Sequence, residues 1–185
     1  MQDFVIENFE GRPADGKPRT QPELDVYDFL DNLGVKYSTL THPSAFTMEE
    51  CEAVRKKADA PVFKNLFLTN RQQTQFYLLM LPADKPFKTK YLSSQIGCAR
   101  LSFAPEEQME RLLKIHPGAV SPMGLIHDSG REVTLIIDED LRDVSLYACH
   151  PCVNTSSILL SMSDFLGTIL PATGHTPSWV TLKPE

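Results

Sequence analysis

Three stretches of this sequence bring together residue types that can do chemistry. The first is Lys64-Asn65, immediately before the apolar run Leu66-Phe67-Leu68. A lysine at the mouth of a buried strand can border a pocket with a low-dielectric floor. There its ammonium stabilises an anionic oxygen or holds a phosphate, or gives up its proton more readily than in water. The bland counterpart is a solvated lysine at a strand start, with Asn65 as a turn residue. The second stretch is Gly118-Ala119-Val120-Ser121-Pro122, a Gly-x-x-x-Pro loop. Glycine permits close backbone approach or a positive φ, proline stiffens the far end, and such a loop can turn main-chain amides toward a carbonyl or carboxylate. An ordinary helix-to-strand connection has the same composition. The third is Cys149-His150-Pro151-Cys152 with Asn154-Thr155 behind it. A Cys-x-x-Cys pair reads either as a redox dithiol, activated by a helix N-terminus, or as half of a zinc site.

The zinc reading lacks its second half, since no other Cys-x-x-Cys or paired histidine spacing occurs, and no metal is assigned. The redox reading wants the motif to open a helix, whereas here it precedes the strand-like Ser157-Ile158-Leu159-Leu160. Both thiols are therefore read as incidental, and His150 and Asn154 as members of a polar loop able to line a pocket. Cys51 and Cys98 fall in helix-like stretches and are expected as small core residues. His42, His116, His127 and His175 each sit beside a loop or a proline and default to the surface. There is no Gly-x-Ser-x-Gly elbow, Walker loop or dinucleotide fingerprint, so no cofactor is assigned.

The elements that must position these residues emerge from periodicity. Residues 1–19 hold two glycines and two prolines and read as an extended or poorly ordered leader, leaving one domain over 20–185. Thr20 and Pro22 open a helix whose Leu24, Tyr27, Leu30 and Leu33 recur at helical spacing until Gly34. Val35 to Leu40 alternates like a strand, and Thr47-Met48-Glu49-Glu50 is a capping box opening a helix to about Lys57. Asn65 to Thr69 and Phe76 to Leu81 read as a hairpin, Lys88 to Ile96 as a helix, and Arg100 to Phe103 as a strand. A helix over Pro105 to Ile115 and strands at Val133 to Ile137, Val144 to Tyr147 and Ser157 to Leu160 come next. A helix from Ser161 or Ser163 through Leu170 and a strand over Ser178 to Leu182 close the chain. Strands and helices without regular βαβ alternation give an α+β or mixed α/β domain.

Composition sets outer limits. With 185 residues and 42% hydrophobic content the chain can bury a core, and it carries a formal charge of -6. That balance weighs against non-specific nucleic-acid binding, and no DNA partner is assigned. No apolar run approaches the roughly 18 residues of a membrane span, and the mixed, acidic Met1 to Glu10 does not read as a secretory signal. A cytoplasmic protein with reduced thiols is the expectation.

Order adds what the separate pieces lack. Lys64-Asn65-Leu66-Phe67-Leu68, Leu81-Pro82-Ala83-Asp84-Lys85 and Leu101-Ser102-Phe103-Ala104 are followed by Gly118-Ala119-Val120-Ser121-Pro122-Met123-Gly124-Leu125. His150-Pro151 with Asn154-Thr155, and Ala172-Thr173-Gly174-His175, complete the series. This series resembles the YbaK/ProX family of trans-editing aminoacyl-tRNA deacylases, most closely its ProX branch, over about Pro22 to Leu182. The resemblance implies a curved mixed β-sheet flanked by helices, with a pocket for the aminoacyl end of tRNA. It implies hydrolysis of the ester joining a wrong amino acid to the terminal adenosine of tRNA(Pro), alanine foremost and cysteine as the rival. It makes Lys64 the essential cation, places Gly118 and Pro122 beside the substrate carbonyl, and sets His150 and Asn154 in the pocket; their neighbours Asn65, Ala119 and Ser121 are expected to bind substrate with them. It also raises prolyl-tRNA synthetase as a second partner. Cys149 and Cys152 lie outside the family pattern. A tRNA-binding module without catalysis, and a thiol–disulfide oxidoreductase using those two cysteines, are the competing readings.

Overall fold

The computed structural model describes residues 4–45 and 47–183. Helix α1 (Gln21–Asn32) begins where Thr20 accepts the Glu23 N–H and Pro22 fills the first turn, and it buries Val26, Tyr27 and Leu30. Helix α2 (Met48–Ala58) opens on the full capping box: Thr47 Oγ1 accepts the Glu50 N–H and the Glu50 carboxylate accepts the Thr47 N–H. Its last turn carries Arg55, Lys56 and Lys57 over the negative end of the helix dipole, and Asp59 closes it in the left-handed region.

Among the described residues nine strands fall into two sheets, one antiparallel and one mixed. Strands β1 (Glu7–Glu10), β2 (Ser38–Thr41), β7 (Leu146–Cys149) and β8 (Ser156–Ser161) form an antiparallel sheet in the order β1-β2-β8-β7. Strands β3 (Phe63–Asn70), β4 (Phe76–Pro82), β5 (Leu101–Phe103), β6 (Val133–Asp138) and β9 (Ser178–Val180) form a mixed sheet ordered β5-β3-β4-β6-β9. Within it β5, β3 and β4 run antiparallel, whereas β4–β6 and β6–β9 are parallel. The sheets touch where Val62 bridges Ala148 and the Ala148 N–H donates to the Pro61 carbonyl at 2.9 Å. Helices α3 (Thr89–Ile96) and α4 (Glu106–Leu113) and the C-terminal helical stretch pack around them. That stretch is α5 (Met162–Asp164), a π turn over Phe165–Ile169 and α6 (Leu170–Thr173).

The main core lies between the sheets and α1. Phe63 stacks on Tyr147 with ring centroids 5.1 Å apart, and Phe165 meets Tyr147 edge-on at 5.7 Å. The opposite face of the mixed sheet buries Leu68, Leu79, Leu81 and Ile136 against Leu92 of α3. A small third cluster of Leu40, Ala58 and Ala148 seats α2 on the outer face of the antiparallel sheet. Among the described residues no helix is long and apolar enough to cross a membrane.

Of its two readings the leader takes the extended one (residues 1–3 lie outside the described residues): β1 pairs with β2, and Arg19 makes two bonds to the Asp15 carboxylate at 3.0 and 3.1 Å. Three expectations change. Strand β7 starts at Leu146 instead of Val144, whose N–H closes a turn onto Leu141. Cys51 is exposed and Cys98 intermediate, while Cys149 and Cys152 are the buried pair, so the core cysteines are the other two. His42 and His175 are 7% exposed instead of on the surface. His175 is pinned between the Asp128 carboxylate and the Thr173 hydroxyl, both at 2.9 Å.

Candidate active site

Strand alternation decides what faces the seam between the sheets. Phe63, Asn65 and Phe67 share one face of β3, and Lys64, Leu66 and Leu68 the other. Asn65 lines a cavity of about 260 Å³ together with Phe63, Gly118, Val120, Ala148, Cys149, His150 and Ser157. An outer cavity of about 410 Å³ shares Val62, Gly118, His150 and Ser157 with it and adds His42, Asn154, Pro117 and three residues of α2: Cys51, Val54 and Arg55. Arg55 alone carries a formal charge among the described residues lining these two cavities.

Each polar group at the seam has a definable hydrogen-bonding state. The Asn65 Nδ2 donates to the Phe63 carbonyl at 3.4 Å, which leaves its Oδ1 buried and without a partner among the described residues. A buried acceptor in that condition costs about 1–3 kcal/mol until something donates to it. Gly118 sits at φ +89, and a Cβ there would come 3.8 Å from Asn154 Nδ2. The neighbouring Ala119 N–H is committed to the His116 carbonyl at 3.1 Å, whereas the Gly118 N–H has no backbone acceptor among the described residues. Asn154 Oδ1 accepts the Ser44 hydroxyl at 3.2 Å. His150 donates Nδ1–H to the Ser156 carbonyl at 2.8 Å, leaving Nε2 as an acceptor. Burial holds its pKa below the ordinary value, and nearby His42 adds to the lowering against the pull of the Ser156 bond, so the ring is neutral.

The residues expected at the site therefore separate into two groups. Asn65, Gly118, His150 and Asn154 converge on the cavities. Ala119, Ser121 and Pro122 are buried behind them and line neither. The Ser121 hydroxyl accepts the Met123 N–H and caps the 3-10 turn Pro122–His127, which fixes the far end of the loop. Lys64 is not among the lining residues; its ammonium donates to the Lys85 carbonyl at 2.8 Å. A third groove of about 380 Å³ shares Val62, Phe63 and Arg55 with the cavities and is lined further by Pro82, Ala83, Asp84, Asp140, Leu141 and Val144.

Cys149 and Cys152 are neither activated nor presented. Burial pushes the Cys149 thiol up to about 12 and raises Cys152 further, and the next element in the chain is strand β8, not a helix N-terminus. Such thiols stay protonated and are poor nucleophiles. Sequence reasoning missed His42 and Ser157, which are 115 positions apart and meet only through the β2–β8 pairing. No local spacing could have announced them.

The two cavities thus bring together the orphan Asn65 acceptor, the Gly118 turn and an imidazole whose pKa burial lowers. The model of the aminoacyl-tRNA editing domain family matches residues 42–167, and the chain belongs to that family. It is 36% identical over 147 residues to the prolyl-tRNA editing protein ProX of Acetoanaerobium sticklandii, covering 80% of this chain and 89% of that one. It is 30% identical over 155 residues to the prolyl-tRNA synthetase associated domain-containing protein 1 of Danio rerio, covering 83% of each. A solved structure described as a candidate trans-editing enzyme for prolyl-tRNA synthetase shares the fold, with a TM-score of 0.66 at 18% identity, covering 91% of this chain and all of that one.

Proposed function

We propose that this protein is a trans-editing hydrolase that deacylates mischarged tRNA(Pro), with Ala-tRNA(Pro) as its first substrate, in the cytoplasm where tRNA is charged. One observation carries the reading: the unpartnered Asn65 Oδ1 in a cavity walled by Val120, Ala148 and the Gly118 turn. The α-ammonium of an aminoacyl ester is a donor of the right kind for Asn65. The carbonyl then lies toward the Gly118 amide, which steadies the oxyanion as the ester opens. An aminoacyl ester is already activated, so water suffices as nucleophile.

Lys64 acts from outside the two cavities. Its ammonium bond to a neutral carbonyl is worth about 1.5–3 kcal/mol net, and a phosphate of the tRNA 3′ end adds the attraction of opposite charges to the same kind of bond. We assign it the task of leaving Lys85 for that phosphate, or for the negative charge developing at the ester, as the end of the tRNA enters. A synthetase pocket built for proline rejects smaller alanine by only about 1–3 kcal/mol, and a second, narrower cavity corrects the error. Prolyl-tRNA synthetase is the source of the mischarged substrate and the natural partner for handover.

A deacylation panel of Ala-, Cys-, Ser- and Pro-tRNA(Pro) tests the reading. Release of alanine with Pro-tRNA(Pro) left intact is expected; faster release of cysteine would reassign the substrate, and release from none would overturn the function. Lys64→Ala is expected to abolish turnover with the fold retained. Asn65→Ala should lower kcat/KM roughly tenfold to a hundredfold, the worth of one buried hydrogen bond to a charged group.

A further inference from the structure

His42 lies just beyond β2, and its backbone N–H donates to the Thr155 carbonyl at 2.9 Å, so the strand pairing carries its ring to the start of β8. Its Nδ1 lies 2.9 Å from the Pro43 carbonyl and its Nε2 lies 3.2 Å from Ser157 Oγ. A carbonyl can only accept, which places the proton on Nδ1. The Nε2 lone pair of the neutral ring must then accept the Ser157 O–H. Ser157 lines both cavities, and His42 lines the outer one. A base, oriented by a third group and bonded to a hydroxyl at a substrate cavity, is the arrangement of an activated hydroxyl.

We propose that Ser157 and His42 form the proton relay of the deacylation, with Ser157 touching the attacking water and His42 serving as the base behind it. The inference rests on the editing function proposed for this cavity and names the groups that activate water for it. The water passes a proton to Ser157 Oγ while the Ser157 hydroxyl proton moves to His42 Nε2. The water oxygen bonds to the ester carbon, giving a tetrahedral intermediate whose oxyanion faces Gly118. That intermediate collapses, the bond to the ribose oxygen breaks, and the relay runs backwards to protonate the leaving oxygen. The products are a free amino acid and a tRNA with its hydroxyl restored.

Burial lowers the His42 pKa below its ordinary value, against a smaller upward pull from the Pro43 bond, so the ring is a free base at neutral pH. The groups around it are His150 beside it, Arg55 and Cys51 of α2 across the outer cavity, and the leader on the other side. There Asp15 is paired with Arg19, Glu7 with Lys17, and Glu23 also faces Arg19.

The test is single-turnover hydrolysis of Ala-tRNA(Pro) from about pH 5 to 8, with tRNA affinity and thermal unfolding measured alongside. The wild-type rate should fall as pH drops through the His42 pKa. Ser157→Ala and His42→Gln should each slow the chemical step by roughly a hundredfold or more at unchanged affinity, and His42→Gln should lose the acidic limb. Ser157→Thr, which keeps the hydroxyl, should recover most of the rate. Full rate in Ser157→Ala, a loss seen only in affinity, or an acylated Ser157 trapped in the wild type would each overturn the relay. Should one variant fail to fold, the other still decides: full rate at unchanged affinity in either Ser157→Ala or His42→Gln overturns the relay. Wild-type protein inert toward every charged tRNA would instead remove the editing reading, and the relay with it.

Discussion

At position 118 the backbone sits at φ +89, a region that side chains with a Cβ resist. The space beside it is open enough, since a Cβ would meet Asn154 only at 3.8 Å. Gly118→Ala should therefore lower stability by only about 1 kcal/mol. The deacylation rate should fall further than that, because relief of the strain turns the amide away from the carbonyl. Thermal unfolding set against single-turnover rates will show whether the two losses separate. The cysteines give a second residue-scale test. In native protein at mildly alkaline pH a thiol reagent should label Cys51 readily and Cys98 partly, while Cys149 and Cys152 respond only after denaturation. Rapid labelling of the buried pair in the folded state would revive the dithiol reading.

Among elements, the leader is tied to the site by a buried polar chain. Arg19 binds Asp15 and approaches Glu23 at 3.4 Å, and one Glu23 oxygen accepts both the Tyr27 hydroxyl at 2.8 Å and the Ser156 hydroxyl at 2.9 Å. Ser156 adjoins Ser157, so this chain fixes the start of β8. Arg19→Ala removes the cation shared by two carboxylates whose side chains are 5–6% exposed, and we expect a loss of roughly 3 kcal/mol in denaturant unfolding. The same pair sets an acid limit. The Arg19 bond lowers the Asp15 pKa from 3.8 to about 2, against a smaller upward push from burial. A depressed folded value means the stabilisation is present above pH 3.8 and is lost as pH falls toward 2. Melting temperatures of wild type and Arg19→Ala should accordingly converge across that window. The loop after α4 is held by packing: a Cβ on Gly124 would lie 2.6 Å from Ile115 Cδ1 and 2.8 Å from Leu113 Cβ. Gly124→Ala should cost about 1–3 kcal/mol and displace the Gly118 turn.

For the molecule as a whole, a charge of -6 has to coexist with a polyanionic substrate. Under the proposed function, binding leans on a few local cations such as Arg55, Lys56 and Lys57 at the end of α2. With about two phosphates neutralised, raising salt from 50 to 200 mM should raise KM for the tRNA by roughly tenfold. A far steeper slope would mean a wider phosphate footprint than these residues provide. The two-sheet architecture explains why the cavity exists. Among the described residues the sheets share one backbone bridge, Val62–Ala148, so a seam remains beside it, and α2 covers that seam from outside through Ala58.

The amino-acid sequence by itself determined the helices with caps, most of the strands, the mixed α/β class, and the order of motifs that marks an editing domain. Those signals are local: a capping threonine, a two-residue alternation and a glycine at a left-handed position act within a few residues of themselves. It also named Asn65, Gly118, His150 and Asn154 before their side chains could be located. Tertiary structure alone decided that Asn65 rather than Lys64 faces the cavity, because adjacent strand residues point to opposite faces and only packing chooses between them. It likewise decided that His42 meets Ser157, a contact created by strand register across 115 positions of chain. Burial, which sets the state of both histidines and both core thiols, belongs to the folded chain and has no counterpart in local spacing.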